Sequence, residues 1–512
     1  MEPARRISLT LDFCLRVGEV LLSSGAGAAD VAATMRDLAD AFGERGVDVD
    51  VTFTSLSMTH QQRPEDPPLT ARRQIVRRTI DYRDLTRVDH LVRGVLKGDL
   101  DLLRGRAELR RIVSGGHDRP RWLVSVGWGA MSGGVAVMLG GGWFVIALAV
   151  VAALCIDRLQ LRVARRALPP FYQQVTGAGV ATLIAVMATF VPIEANVSLV
   201  ITANIVMLLA GIGFMGALQD ALTGFYITAT ARITEALLST AGIIAGVSGG
   251  LSIAAAVGVE LPTLALGDYD FQTLGLSALG AAVAAAGFAY ASYAPVQVLA
   301  PIAVLSGAAV TLSRSIEAPG LARSWSVAVA ALAVGLLGYA VAQRLKVPPL
   351  IVVVSAVVPM LPGVSIYRGL ALMGEGTRRD TSEGLVALFT AASVALAIAG
   401  GVLLGEHLAQ PLSREVQRLE SQVEARLVSP GPQGFSRFAT PHLVGPARGL
   451  SAKIRERQPH VRGSQGPGQA LREASQRPAV PAAPRSKGAE PDRTVASTQE
   501  QLSSASDTTS GG

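Results

Sequence analysis

The chain has 512 residues, of which 50% are hydrophobic and only 17% charged, and its mean hydropathy is +0.39; this balance excludes a string of ordinary soluble domains and predicts a polytopic membrane protein. A formal net charge of +7 raises nucleic acid as a partner, but the arginines are dispersed over polar flanks and loops, without zinc-ligand spacing or an aromatic-interleaved basic stripe. Nucleic acid is therefore set aside in favour of a lipid surface, and two cysteines, Cys14 in a polar segment and Cys155 in an apolar one, exclude a disulfide framework and a metal cluster.

The first segment, MEPARRISLTLDF, reaches Asp12 and Arg16 before an apolar core of signal-peptide length accumulates, so the N-terminus is expected to stay in the cytosol. ISLTLDFCLRVGEVLL has helical periodicity, SSGAG interrupts it, and AADVAATMRDLADAFG resumes it, with Gly43 as the expected stop. VDVDVTFTSLSMTH alternates around Val47, Val49, Val51 and Phe53 and reads as a strand, and RQIVRRTI as a second one beyond the RPEDPP loop. DLTRVDHLVRGVLKG and DLDLLRGRAELRRIVS read as two short amphipathic helices. Residues 1–117 are thus expected to form a small α+β cytosolic domain.

No Asp, Glu, Lys or Arg occurs from Trp122 to Ile156, where the membrane part begins. Apolar runs lie near 122–139, 142–156, 171–191, 196–218 and 233–259, and again near 272–292, 295–313, 325–343, 348–372 and 384–405. Most match the roughly 17 to 25 residues of a spanning helix, which predicts about ten transmembrane helices in two five-helix units, 118–262 and 268–408. DRLQLRVARR, with Arg158, Arg162, Arg165 and Arg166, and QRLK, with Arg344 and Lys346, are basic, whereas ELPTLALGDYD is acidic; the positive-inside rule puts both termini in the cytosol. Arg314, Arg323, Arg378 and Arg379 run against that scheme. From 409 to 512 the chain is rich in Pro, Gln, Ser, Arg and Gly and reads as a disordered tail.

Laid on itself so that Gly211 meets Gly363, the sequence brings Leu218 onto Leu370 and the fifth crossing onto the tenth. Consecutive units of five helices enter the membrane from opposite sides, the inverted-repeat arrangement of many secondary transporters, whose substrate sites lie where helices are broken at corresponding places. VVPMLPGVSIYRGL offers such a break, because Pro359, Pro362 and Gly363 interrupt an apolar run just before Tyr367 and Arg368. Asn204, Asp220, Arg232 and Glu235 are the other polar residues in or beside apolar segments, where ionisable groups face a cavity or pair with one another. The competing reading is that Asp220 and Arg232 bound an ordinary loop and snorkel.

Gly211, Gly213 and Gly216 match GxGxxG, but without a preceding strand they read as close helix packing or a helix break rather than a dinucleotide site. GVSGG around Ser248 matches the nucleophile-elbow spacing inside an apolar segment with no nearby histidine, and His60, His90 and His117 are irregularly spaced. No catalytic residue, metal or cofactor is expected.

GEVLLSSGAGAADVAATM at 18–35, DVTFTSLSMTH at 50–60, DALTGFYITATARITEALL at 220–238 and VVPMLPGVSIYRGL at 357–370 together resemble the threonine/serine exporter family in its fused form. The resemblance covers roughly residues 8–405, with four motifs in the family's order. It implies an inner-membrane secondary exporter of small amino acids, driven by the proton motive force, with about ten helices behind a cytosolic domain. Members of the wider group that look like dicarboxylate exporters leave small dicarboxylates as a second substrate class. Where split members carry Pro-Gly in the first half, this chain has Ala210-Gly211, so no proline forces a break there. A zwitterionic substrate requires an anion site, expected over Gly363–Arg368, and an acid for the ammonium or proton, expected at Asp220 or Glu235. The rival class, a membrane-anchored hydrolase or sensor acting through residues 1–117, needs one or two helices rather than ten. Expected partners are the small amino acid, protons, the lipid bilayer and further copies of the chain, at the cell membrane.

Overall fold

The apolar periodicity of the N-terminal region produces α1 (Pro3–Ser23) and α2 (Ala28–Ala41), whose inward faces bury Leu11, Phe13, Val17, Met35 and Leu38 together. The computed structural model describes residues 3–75, 80–116, 119–166, 168–193, 198–208, 211–258, 274–317, 322–375 and 378–428. ELPTLALGDYD, His117 and the tail beyond 428 lie outside the described residues. Gly43 follows α2 with φ +88°, a left-handed conformation that costs glycine little and ends the helix where the sequence expects.

The stretch expected to be one strand is two, β1 (Asp48–Val51) and β2 (Ser55–His60), and β3 (Leu69–Gln74) completes an antiparallel sheet of order β1-β2-β3. The reason is Thr52: its hydroxyl accepts from the Ser55 amide at 3.2 Å and its backbone N–H donates to the Ser55 carbonyl at 2.9 Å, folding the chain back. Val51 then faces Leu56, and Leu56 and Met58 close the core under α1. Aspartates start the next two helices: Asp81 accepts from the Arg83 and Asp84 amides ahead of α3 (Tyr82–Leu96), and Asp101 from Arg104 ahead of α4 (Leu102–Ser114).

The apolar part consists of α5 (Arg121–Met138), α6 (Trp143–Arg165), α7 (Pro170–Ala188), α8 (Ser198–Leu208), α9 (Gly211–Leu222) and α10 (Tyr226–Ala256), then α11 (Leu274–Ala291), α12 (Leu299–Glu317), α13 (Arg323–Leu345), α14 (Pro349–Val357), α15 (Gly363–Glu375) and α16 (Arg378–Val428). Among the described residues seven helices are long and apolar enough to cross a membrane, or eight if α8 and α9, bent by 45°, form one span. The protein is a mostly helical, multi-pass membrane protein. The count of ten exceeds this number because the glycines and serines of α5 dilute its hydropathy and because α14 is short and ends at the Pro359 break. α16 also runs past residue 409, where the sequence marks the tail, since QRLESQVEARLV is built of good helix formers despite Pro411.

Small residues set how these helices meet. α5 and α11 run antiparallel with their backbones in contact: a Cβ on Gly134 would fall 2.5 Å from the Ala284 nitrogen, one on Gly280 2.5 Å from the Met138 nitrogen, and one on Gly287 2.6 Å from the Met131 nitrogen. Without lipid-excluding hydrophobic gain between helices, such close approach supplies the packing energy. Gly242 and Gly250 likewise seat α10 against α7, and Gly335 and Gly401 join α13 to α16. Ser248 is exposed on α10, so the GVSGG spacing is a packing pattern there.

The N-terminal region belongs to the same compact unit, residues 1–431. Tyr82, at the start of α3, is 1% exposed and stands edge-on to Phe288 of α11, while its N–H donates to the Ser292 carbonyl at 2.9 Å. His90 meets the Lys346 carbonyl at the end of α13 at 2.7 Å, and Arg119 donates to the Tyr290 and Ala294 carbonyls while lying over the Tyr290 ring.

Replacing Gly134 or Gly280 by Leu should cost more than the ~1–3 kcal/mol of ordinary overpacking, because the obstacle is backbone. Folded protein, measured as the monodisperse detergent-solubilised fraction and its melting temperature, should fall sharply for both. Gly400→Leu, on an open stretch of α16 with nothing within 4 Å, should not change it.

Candidate functional site

The turn between α9 and α10, TGFYI, returns the chain on itself with Gly224 at φ +91°. It thereby brings Asp220, near the end of α9, against Arg232, on the second turn of α10: Arg232 Nη1 and Asp220 Oδ2 are 3.1 Å apart, with side chains 10% and 1% exposed. Both groups also reach the N-terminal region. Asp220 Oδ1 accepts from the Ala28 N–H at 2.8 Å, capping the first turn of α2, and Arg232 Nη2 donates to the Ala26 carbonyl at 3.1 Å. One turn away, Thr228 donates to the Val51 carbonyl at 3.1 Å. An ion pair this buried is held by the extra hydrogen bonds around it, and loss of one partner would leave an uncompensated charge, worth roughly 3–5 kcal/mol.

Gly216 makes room for this arrangement, since a Cβ there would lie 2.7 Å from Arg232 Nη1. On α2, burial in its surroundings pushes the Asp30 carboxyl above its ordinary range although its own surface is partly open, and the His407 imidazole pulls it back.

Arg232 also lines a cavity of about 410 Å³. Glu235 and Ser239 on the same face of α10, Gln174 on α7, Gly213 and Gly216 on α9 and Gly363 on α15 share its wall, and Ser23, Gly25 and Phe53 of the N-terminal region close it over. A second cavity, of about 550 Å³, lies at the opposite ends of the helices, where α12 ends and α13 begins. Its charged residues are Arg314, Glu317, Arg323, Arg368 and Glu383, and Pro359 and Pro362 are in its wall. The two cavities share Val206 of α8 and Leu361.

Leu361 sits in the break the sequence expects. A 3₁₀ turn, Val358–Met360, follows α14; Leu361 is extended with φ −61° and ψ 138°; and the Pro362 carbonyl accepts from Ile366 at 3.0 Å to start α15 at Gly363. In the first half, α8 and α9 are bent by 45° to one another and α9 begins at Gly211, without a proline.

Of the residues singled out from sequence, Arg232, Glu235 and Gly363 line the first cavity, with Asp220 behind Arg232 as its ion-pair partner, and Pro359, Pro362 and Arg368 line the second. Tyr367 lies on α15. Asn204 lines neither: its amide donates to Val200 at 2.9 Å and to Ala149 at 3.4 Å, joining α8 to α6. Gln174, Gly216, Ala26 and Ala28 had no place in the site read from sequence, although Gly216 falls within the GxGxxG match and Ala26 and Ala28 within the 18–35 stretch. Among the described residues no three His, Cys, Asp or Glu side chains gather to hold a metal.

A family model described as a threonine/serine exporter matches residues 12–254, and one described as "Threonine/Serine exporter, ThrE" matches residues 277–408. The chain is 35% identical over 434 residues to a probable threonine/serine exporter of Mycobacterium tuberculosis, covering 83% of this chain and 80% of that one. It is 32% identical over 418 residues to the threonine/serine exporter of Corynebacterium glutamicum, covering 80% of this chain and 84% of the relative. No solved structure matches. The two matched stretches carry the two broken helices in order, and together with these relatives they make the chain a member of the threonine/serine exporter family, a family of transporters and not of enzymes.

Proposed function

We propose that the protein is a secondary exporter of small amino acids, threonine and serine, driven by the proton motive force. The observation that carries this reading is the pair of cavities at opposite ends of the helices, which share Val206 and Leu361 as a common wall. Alternating access needs two vestibules separated by a thin, movable barrier, and backbone irregular at membrane depth is tolerated where it lines such a cavity. The names of the relatives supply the substrate, and Arg232 with Glu235 in one cavity favours a zwitterion over a dianion.

In this reading α5 to α10 and α11 to α16 are two inverted five-helix repeats with a broken fourth member each, making ten crossings. The pairings support it: α5 against α11, antiparallel; α7 against α10 as α13 against α16; α9 against α16 as α15 against α10. Residues 1–117 are then a cytosolic domain, and both termini are cytosolic; the hydrogen bonds of that region to helix ends of one side, near 220–232, 292 and 346, support it.

Export against a gradient requires that proton and substrate exclude one another. A single carboxylate does this when the substrate's ammonium and a proton compete for it. Asp220 is that carboxylate: ionised, it can take an ammonium from the cytosolic cavity; protonated from the other side, it releases it. Arg232 takes the substrate's carboxylate, and Arg368, in the opposite cavity, takes it on the way out.

Three outcomes follow in reconstituted vesicles at matched amounts of folded protein. Asp220→Asn should keep threonine exchange but lose gradient-driven accumulation, because a carboxamide cannot titrate; loss of neither would remove Asp220 from coupling. Arg368→Ala should raise the half-saturating threonine concentration from the outer side without changing insertion. Gly216→Ala should reduce transport by at least about tenfold, or ~1.4 kcal/mol, by pushing the tip of Arg232 away from Asp220; Gly249→Ala, in open space on α10, should not.

A further inference from the structure

The groups that Asp220 and Arg232 hold have the polarity of an amino acid. The Ala28 N–H, a donor, sits on the carboxylate, and the Ala26 carbonyl, an acceptor, sits on the guanidinium, two residues apart in one loop. An α-amino acid offers an ammonium and a carboxylate to the same two partners, with full charges in place of peptide dipoles. Resting on the exporter reading, we infer that the Asp220–Arg232 pair is the receptor for the amino and carboxyl groups of the substrate, and that the loop between α1 and α2 occupies it as a backbone stand-in, a lid which the substrate displaces.

The loop is built for this. Residues Ser24 to Ala28, SGAGA, carry no bulky side chain, and Gly25 at φ +97° has open space around its missing Cβ. Ser23 and Gly25 already form the roof of the 410 Å³ cavity whose wall holds Arg232 and Glu235, so a substrate entering it arrives beside the loop. The rest of the N-terminal region is fastened independently, by the Tyr82 N–H to Ser292, by His90 to Lys346 and by the Thr228 hydroxyl to the Val51 carbonyl. The loop can lift while that region stays docked. Charge favours the exchange: the substrate brings a full positive charge to Asp220 and a full negative charge to Arg232, where the loop brings only peptide dipoles.

The chain offers an unusually clean substitution. Ala28 is the first residue of α2, where proline is well accommodated, and Gly27 before it is extended at φ −65° and ψ 147°, as the residue preceding a proline prefers. Ala28→Pro therefore keeps the helix, deletes the N–H that Asp220 holds and sets the ring Cδ against that carboxylate, so the loop can no longer seat on it. The reporter is Ser24→Cys, 2% exposed in the loop, in a Cys155→Ala background; Cys14 is fully buried.

In inside-out vesicles containing the full chain, labelling by a membrane-impermeant maleimide should be slow and should accelerate on adding threonine. N-acetylthreonine and threoninamide, each lacking one of the two charges, should leave it slow. Ala28→Pro should accelerate substrate-free labelling about tenfold, ~1.4 kcal/mol, and lower the half-saturating threonine concentration for transport by a similar factor, because a competing occupant has been weakened. Threonine that is transported yet fails to accelerate labelling, or derivatives that accelerate it equally, would overturn the lid and leave the exporter standing. Vesicles that transport no threonine at all would overturn both. The substrate arm needs no proline, so a poorly folding Ala28→Pro does not protect the proposal.

Discussion

A carboxylate and a guanidinium 3.1 Å apart, almost wholly withdrawn from solvent, tie three parts of this molecule together. Asp220 lies near the end of α9, Arg232 on the second turn of α10, and each makes one further hydrogen bond to the loop that joins α1 to α2. Neither charge is tolerable alone at such burial, so the turn, the loop and the glycine at position 216 are mutually dependent. The cavity beside the pair exists because Gly213 and Gly216 leave space where side chains would stand.

Around that point the helices are organised by what they lack. The close crossings of α5 with α11, α7 with α10 and α13 with α16 all pass through glycine, so that large apolar side chains such as Leu237, Leu276, Leu337 and Phe389 are left exposed on the helical surface, as a lipid-facing protein requires. Among the described residues, the stretch 358–362 departs from regular helix in the interior, and it adjoins both cavities.

Much of this was readable from residues alone, and the exceptions have physical causes. Pro359, Pro362 and Gly363 announce a break because proline removes a donor and blocks the preceding turn; the bend between α8 and α9 has no proline and was visible only through its alignment with the second half. Gly43 acts locally, so local sequence suffices. Thr52 also acts locally, but a hydroxyl that folds a strand back looks like any other residue in an alternating pattern. Asp220 and Arg232 stood out as polar residues beside apolar runs, yet nothing near them in sequence predicts a partner 192 residues away. Tyr82 reads as an ordinary helix start; that it inserts beside Phe288 depends on tertiary packing. The helix count diverged where composition and role diverge, since an interior helix rich in glycine, like α5, need not look apolar enough to meet lipid.

The α5–α11 crossing has one more consequence. Where two backbones touch without intervening side chains, there are no rotamers to switch and no ridges to slip past one another, and a ratchet of one turn would drive Cβ atoms into peptide planes. That crossing is a fixed axle. Whatever displacement opens one end of the molecule and shuts the other must therefore be carried by segments pivoting about it, and the two helices at its centre supply the stationary frame against which their travel is defined.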